Sequence, residues 1–142
     1  MSVAPLLPRP RGLRLGHERV EAREPAQVLG ASLPAQGYRV VIDASAVRID
    51  AADEAGAFYA RATLDQLART HGGRLPVGEI VDWPDVAIRG VMLDISRDKV
   101  PSFSTLAELV DRLASWKLNQ LELYTEHTFA YTGHEEVWEN AS

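Results

Sequence analysis

The chain contains no cysteine. That excludes disulfides and thiolate metal centres, although it does not by itself set the compartment. An excess of basic charge is also missing: 20 acidic residues stand against 15 basic ones, for a net charge of −5. General binders of nucleic acid or membrane surfaces usually carry a basic face, so neither partner is expected. No window approaches the ~18 apolar residues needed to span a bilayer. Residues 1–8 have neither the basic start nor the apolar stretch of a secretory leader, and a cytoplasmic location is expected. There is no internal repeat and no low-complexity segment. What the chain does have is 142 residues, 46% of them apolar, enough for one small core and part of a second domain.

Residues 1–12 hold Pro5, Pro8 and Pro10, which fix φ and remove donors, so an extended lead-in is expected. Leu13-Arg14-Leu15 alternates and reads as a short strand. Pro25 to Leu29 reads as one helical turn with Pro at its first position. Residues 38–42 and 46–49 are β-branched runs broken at Asp43-Ala44-Ser45, the pattern of an antiparallel hairpin. Asp53 can cap a helix reaching Arg69, with Ala57, Ala60, Leu64, Leu67 and Ala68 on one stripe and Gly72-Gly73 as its stop. Residues 75–81 offer another strand. A sheet with one helix on one face is a small α+β layer.

Trp83-Pro84-Asp85 marks a boundary, because Pro84 disfavours the α region at Trp83. Beyond it the pattern becomes β-α-β. Residues 86–95 read as a strand. Thr105 and Glu108 have capping-box spacing at a helix start, and Leu106, Leu109, Val110, Leu113 and Ala114 face one way. Residues 119–124 read as a second strand, parallel to the first because the crossover is long enough. The first of these strands carries the most informative stretch, Arg89-Gly90-Val91-Met92-Leu93-Asp94-Ile95-Ser96-Arg97-Asp98. An apolar run that ends in clustered polar groups is where α/β sheets and barrels place their ligands.

Several stretches together resemble one known family. Gly56-Ala57-Phe58-Tyr59 with Thr63-Leu64-Asp65-Gln66-Leu67 is similar to the helix of the small N-terminal domain in family 20 glycoside hydrolases, the β-N-acetylhexosaminidases. Ile80-Val81-Asp82-Trp83-Pro84 resembles their interdomain linker, residues 89–97 their first barrel strand, and Lys117-Leu118-Asn119 the entry to their second. The resemblance implies an α+β chain: a small sheet-plus-helix domain over residues 1–84, then the β-α-β start of an incomplete (β/α)8 barrel over residues 85–142. It also implies substrate-assisted hydrolysis, an exception to the usual two-carboxylate scheme, in which the sugar's own acetamido oxygen attacks. An Asp orients that group and the adjacent Glu is the acid. In the family this pair closes a later strand. Glu135-Glu136 and Asp53-Glu54 do not match it, so no catalytic residue is assigned in this chain and the segment alone is expected to be inactive.

Arg97 matches the family arginine that binds sugar hydroxyls, and five donors in a fixed fork suit vicinal hydroxyls. Alternatively it pairs with Asp94 or Asp98 as loop glue. Asp94 either orients Arg97 or caps the loop. Glu126 and His127 stand where the family places a carboxylate and its neighbours, and they complete the candidate substrate-binding set. Tyr131 and Trp138 are candidate stacking surfaces or simple packing. His134-Glu135-Glu136-Val137-Trp138 is close to a zinc-protease motif but has Trp138 at the second His position, so no metal is expected. Asn140-Ala141-Ser142 matches a glycosylation triplet by composition.

The parent protein implied is a hydrolase of N-acetylhexosamine glycans or glycosides that needs no cofactor. Another barrel glycosidase with the same small domain, an α-glucuronidase or a family 84 enzyme, is the first alternative, and a non-catalytic interaction module the second. Severed barrel strands have open edges, so self-association of this chain, a domain swap, or disorder after about Tyr124 is expected.

Overall fold

A computed structural model describes residues 6–97, 99–125 and 132–138. These fall into two compact units, one of residues 1–87 with 115–117 and one of residues 88–114 with 118–142.

The N-terminal unit is built on a five-stranded sheet: β1 (Gly12–Glu21), β2 (Ala26–Leu29), β3 (Tyr38–Ile42), β4 (Val47–Ala51) and β5 (Arg74–Asp82), in the order β1-β5-β3-β4-β2. The hairpin of β3 and β4 pairs Val40 with Ile49. Its turn is held by Asp43, whose Oδ1 accepts from the Ser45 and Ala46 amides at 2.7 and 2.8 Å. Alternation decides the faces. Tyr38, Val40, Ile42, Val47, Ile49 and Ala51 are buried, while Arg39 and Arg48 point to solvent and pair with Glu79 and Asp50.

One helix, α1 (Glu54–Thr70), covers the apolar face. Asp53 caps it by accepting from the Gly56 amide at 2.8 Å, and Ala57, Ala60, Leu64 and Leu67 form its buried stripe. Small residues on that stripe let the helix lie close to its surroundings. Gly56 shows how close: a Cβ there would sit 2.3 Å from the Gly37 carbonyl oxygen.

One expectation fails in this unit, and another holds but proves too short. Residues 26–29 form an edge strand parallel to β4 rather than a helical turn. Pro25, which cannot donate to a ladder, just precedes an edge strand, where Pro is tolerated. The strand at Leu13–Leu15 is part of a ten-residue β1, antiparallel to β5 with a register shift between Leu15 and Arg19.

The second unit contains β6 (Gly90–Asp94), α2 (Phe103–Ser115), β7 (Gln120–Tyr124) and the short α3 (Glu135–Trp138). β6 and β7 are parallel, with Gly90 opposite Gln120 and Asp94 opposite Tyr124. β6 starts at Gly90 and not at residue 86. Just before the ladder, the Arg89 amide donates to the Asn119 side-chain oxygen at 2.8 Å, and Val86 and Ile88 are exposed. The helix cap is Ser102, not Thr105: the Ser102 Oγ accepts from the Thr105 amide at 3.2 Å, which places Thr105 inside the first turn.

Candidate functional site

The polar tip of β6 forms a compact local structure. Asp94 Oδ1 accepts from the Ser96 amide at 2.9 Å and from the Ser96 hydroxyl at 2.8 Å. Its Oδ2 lies 3.4 Å from Arg97 Nε. The Ile95 amide donates to the Tyr124 carbonyl at 3.0 Å, which carries the parallel pairing one residue past β6. The Arg97 guanidinium lies 5.9 Å from the Tyr124 ring centroid, within reach of a cation–π attraction. The Ser96 amide and hydroxyl, and then the positive charge of Arg97, hold the Asp94 carboxyl below its usual range.

Of the candidate binding residues, Asp94 and Arg97 are therefore brought within ion-pair distance, and Asp94 also holds the turn through Ser96. Glu126 and His127 lie outside the described residues, as do Asp98, Tyr131 and Asn140. Tyr124, which carried no expectation, is the aromatic neighbour of Arg97. Its position at the end of a parallel strand was the available signal.

On the same two strands, Gly90, Val91, Met92, Gln120 and Glu122 line an open cleft of about 210 Å³. It lies toward the start of the strands and does not include Arg97. Among the described residues no cluster of three potential metal ligands occurs. His134 Nδ1 lies 3.6 Å from Glu136 Oε1. No helix among them is long and apolar enough to cross a membrane.

A second polar cluster is buried in the N-terminal unit. Lys117 Nζ donates to Tyr38 Oη at 2.7 Å and to Asp82 Oδ2 at 3.3 Å. The lysine side chain is 6% exposed and that of Asp82 11%. Tyr38 Oη also lies 2.7 Å from Thr63 Oγ1, and Thr63 donates onward to the Tyr59 carbonyl. Burial, reinforced by the nearby Asp82 charge, pushes the Tyr38 hydroxyl far above its ordinary range, so it stays protonated. Nothing in the sequence marks Lys117 as buried, since lysine is among the residues least often found inside.

Known proteins place these observations. The family model described as "Glycosyl hydrolase family 20, domain 2" matches residues 5–83. An N,N'-diacetylchitobiase of Vibrio harveyi is 35% identical over 101 residues, covering 70% of this chain and 11% of its own length. A beta-hexosaminidase of Akkermansia muciniphila is 31% identical over 96 residues, covering 66% of this chain and 19% of its own. Among solved structures, a beta-N-acetylhexosaminidase superimposes with a TM-score of 0.74 at 27% identity, over 87% of this chain and 27% of that one. A Streptomyces plicatus beta-hexosaminidase mutant in complex with its product (GlcNAc) gives 0.60 at 30% identity, over 70% and 22%. The chain thus spans less than a third of any of these relatives.

Proposed function

Because the chain belongs to glycoside hydrolase family 20, we propose that it is the N-terminal part of a retaining β-N-acetylhexosaminidase. Residues 85–142 then begin its (β/α)8 catalytic barrel, and the tip of β6 contributes to the sugar site. The observation that carries this reading is the juxtaposition of Asp94 and Arg97 at the C-terminal end of a parallel strand, directly after a family 20 domain 2. Barrel enzymes build their sites at that end of their strands.

In this reading Arg97 donates to ring hydroxyls of the terminal N-acetylhexosamine, Asp94 fixes its orientation, and Glu126 and His127, outside the described residues, are the further binding candidates. The 2-acetamido oxygen of the substrate attacks the anomeric carbon. That attack breaks the glycosidic bond and expels the leaving oxygen. Water then opens the oxazolinium intermediate from the face the leaving group vacated, opposite the acetamido oxygen, so that two inversions give net retention. An Asp-Glu pair on a later strand would orient the acetamido group and protonate the leaving oxygen. No such pair occurs at a strand tip among the described residues, so the 142-residue chain alone is inactive in this reading. Family 20 membership favours it over the α-glucuronidase and family 84 alternatives.

The test is hydrolysis of an aryl N-acetyl-β-glucosaminide. The protein that carries this segment should turn it over, and the isolated chain should not. Loss of one charged donor costs about 1.5–3 kcal/mol, so Arg97→Ala should lower kcat/KM by roughly 10- to 100-fold. An Arg97→Ala variant with unchanged kcat/KM would remove Arg97 from the site. Specific hydrolysis by the isolated chain would refute the division of labour.

A further inference from the structure

We infer that residues 115–117 are a strap of the N-terminal unit, locked by the buried Lys117 ammonium, and that the family 20 small domain is not a closed module without them. Two anchors hold the strap. The Gln66 amide donates to the Ser115 carbonyl at 2.8 Å, and the same side chain grips Leu7 through its backbone N–H and C=O, both at 2.8 Å. The second anchor is Lys117, whose ammonium reaches Tyr38 from β3 and Asp82 from β5, with Thr63 of α1 one hydrogen bond further. Asp82 is itself tied to the lead-in, because its Oδ1 accepts from the Arg11 amide at 3.3 Å. One charged group therefore connects the strap to a helix, two strands and, through Asp82, the N-terminal segment.

The backbone supports this assignment. Lys117 has φ of +64°, the left-handed region that favours glycine. Glycine turns the chain there at least cost, so what lysine adds at this position is its side chain, which lies over the Tyr38 ring at 5.1 Å and meets the buried Asp82 carboxylate. Removing one partner of a buried ion pair is far more damaging than replacing both. The motifs that mark the family in this sequence converge here: Thr63 and Gln66 from the helix, Asp82 from the linker, Lys117 before the second barrel strand. Their shared role is to close a fold across 79 residues of sequence between Tyr38 and Lys117.

The test is amide hydrogen exchange on the intact chain, followed at Val40 and Ile80 in the central strands β3 and β5. If position 117 only turns the chain, Lys117→Gly relieves the left-handed backbone and exchange there slows or stays the same. If the lock holds the unit together, exchange at both amides accelerates by roughly 100-fold or more, the size expected for a broken buried pair. Acceleration confined to residues 113–120 would overturn the proposal. Should Lys117→Gly fail to fold, Lys117→Met combined with Asp82→Asn decides the matter. Asn keeps an acceptor for the Arg11 amide and carries no charge, so the double variant should regain most of the protection. Failure to regain it would also overturn the lock.

Discussion

The two units use the same kinds of element and differ in how much they bury. In the N-terminal unit one helix lies on a five-stranded sheet, and Val40, Ile49, Leu67 and Ile80 are sealed from solvent. In the second unit a two-stranded parallel sheet and a strongly amphipathic helix bury one apolar side chain, Leu113, among the described residues, while Met92, Val100 and Phe103 stand 65%, 72% and 88% exposed. Parallel sheets are normally covered on both faces, and a two-stranded sheet is marginal alone. The contrast teaches that the first unit carries its own core, whereas the second carries the polar strand tip and has far less core to hold it. Under the proposed reading the missing cover is the rest of the barrel.

The sharpest way to break this comparison is to cut one side chain from each unit. Ile49 is fully buried between its neighbours in β4 and the helix layer, and a buried Ile→Ala change costs about 2–5 kcal/mol. Urea unfolding of Ile49→Ala should show that loss. Met92→Ala, at a position already 65% exposed, should change the same transition by under about 0.5 kcal/mol. Equal losses would mean that the second unit is as well packed as the first.

Gly90 sharpens the comparison from the other side. A Cβ there would meet the Gln120 carbonyl oxygen at 2.5 Å and the Gln120 Cβ at 2.6 Å, so β6 and β7 approach closely despite their open faces. Gly90→Ala should weaken that pairing by about 1–3 kcal/mol, the usual cost of overpacking. Exchange protection should fall in β6 and β7 while Val40 and Ile80 keep theirs. Loss of protection in both strand pairs would show that the units open together.

Why some of this was legible and some was not follows from where the physics is local. The β3–β4 hairpin and α1 announce themselves because alternation, an Asp cap and a terminal Gly pair all act within a few residues. β2 does not, since its four residues are exposed and only a parallel partner in β4 makes them a strand. β6 starts later than the pattern implies because Val86 and Ile88 look like strand residues, yet the ladder begins after the Asn119 side chain has taken the Arg89 amide. At the site, resemblance pointed to Arg97 and strand alternation to Asp94, and the structure brings them within ion-pair distance, a pairing that the loop-glue alternative expects as well. The Lys117 cluster was not legible, because it depends on contacts between residues far apart in the chain, and Tyr124 was legible only as the end of a parallel strand and not as the neighbour of Arg97.

Open edges yield a smaller effect that needs concentration to be seen. β6 and β7 each have one strand partner among the described residues, and an unpaired edge beside exposed apolar side chains favours pairing with another copy. Sedimentation velocity should show the weight-average coefficient rising with concentration, and Met92→Lys should reduce the rise. A single monomeric species at every concentration would contradict this expectation.

The smallest expected effect compares two turns of the same design, one per unit. Asp43 and Asp94 each accept from the amide and hydroxyl of the serine two residues on. Both carboxyls are held below the ordinary aspartate range, first by those serine hydrogen bonds and then by a nearby arginine, Arg23 for Asp43 and Arg97 for Asp94. A carboxyl whose folded pKa is depressed contributes order that is complete above its unfolded value and lost as pH falls through its folded one. The Ser45 and Ser96 amide resonances should therefore both titrate at lower pH than they would beside an unperturbed aspartate. Arg97→Gln should move the Ser96 titration to higher pH and leave that of Ser45 in place. If the Ser96 titration did not move, the charge of Arg97 would not be coupled to Asp94, and Asp94 would be a turn residue of the same kind as Asp43, with no part in orienting the arginine.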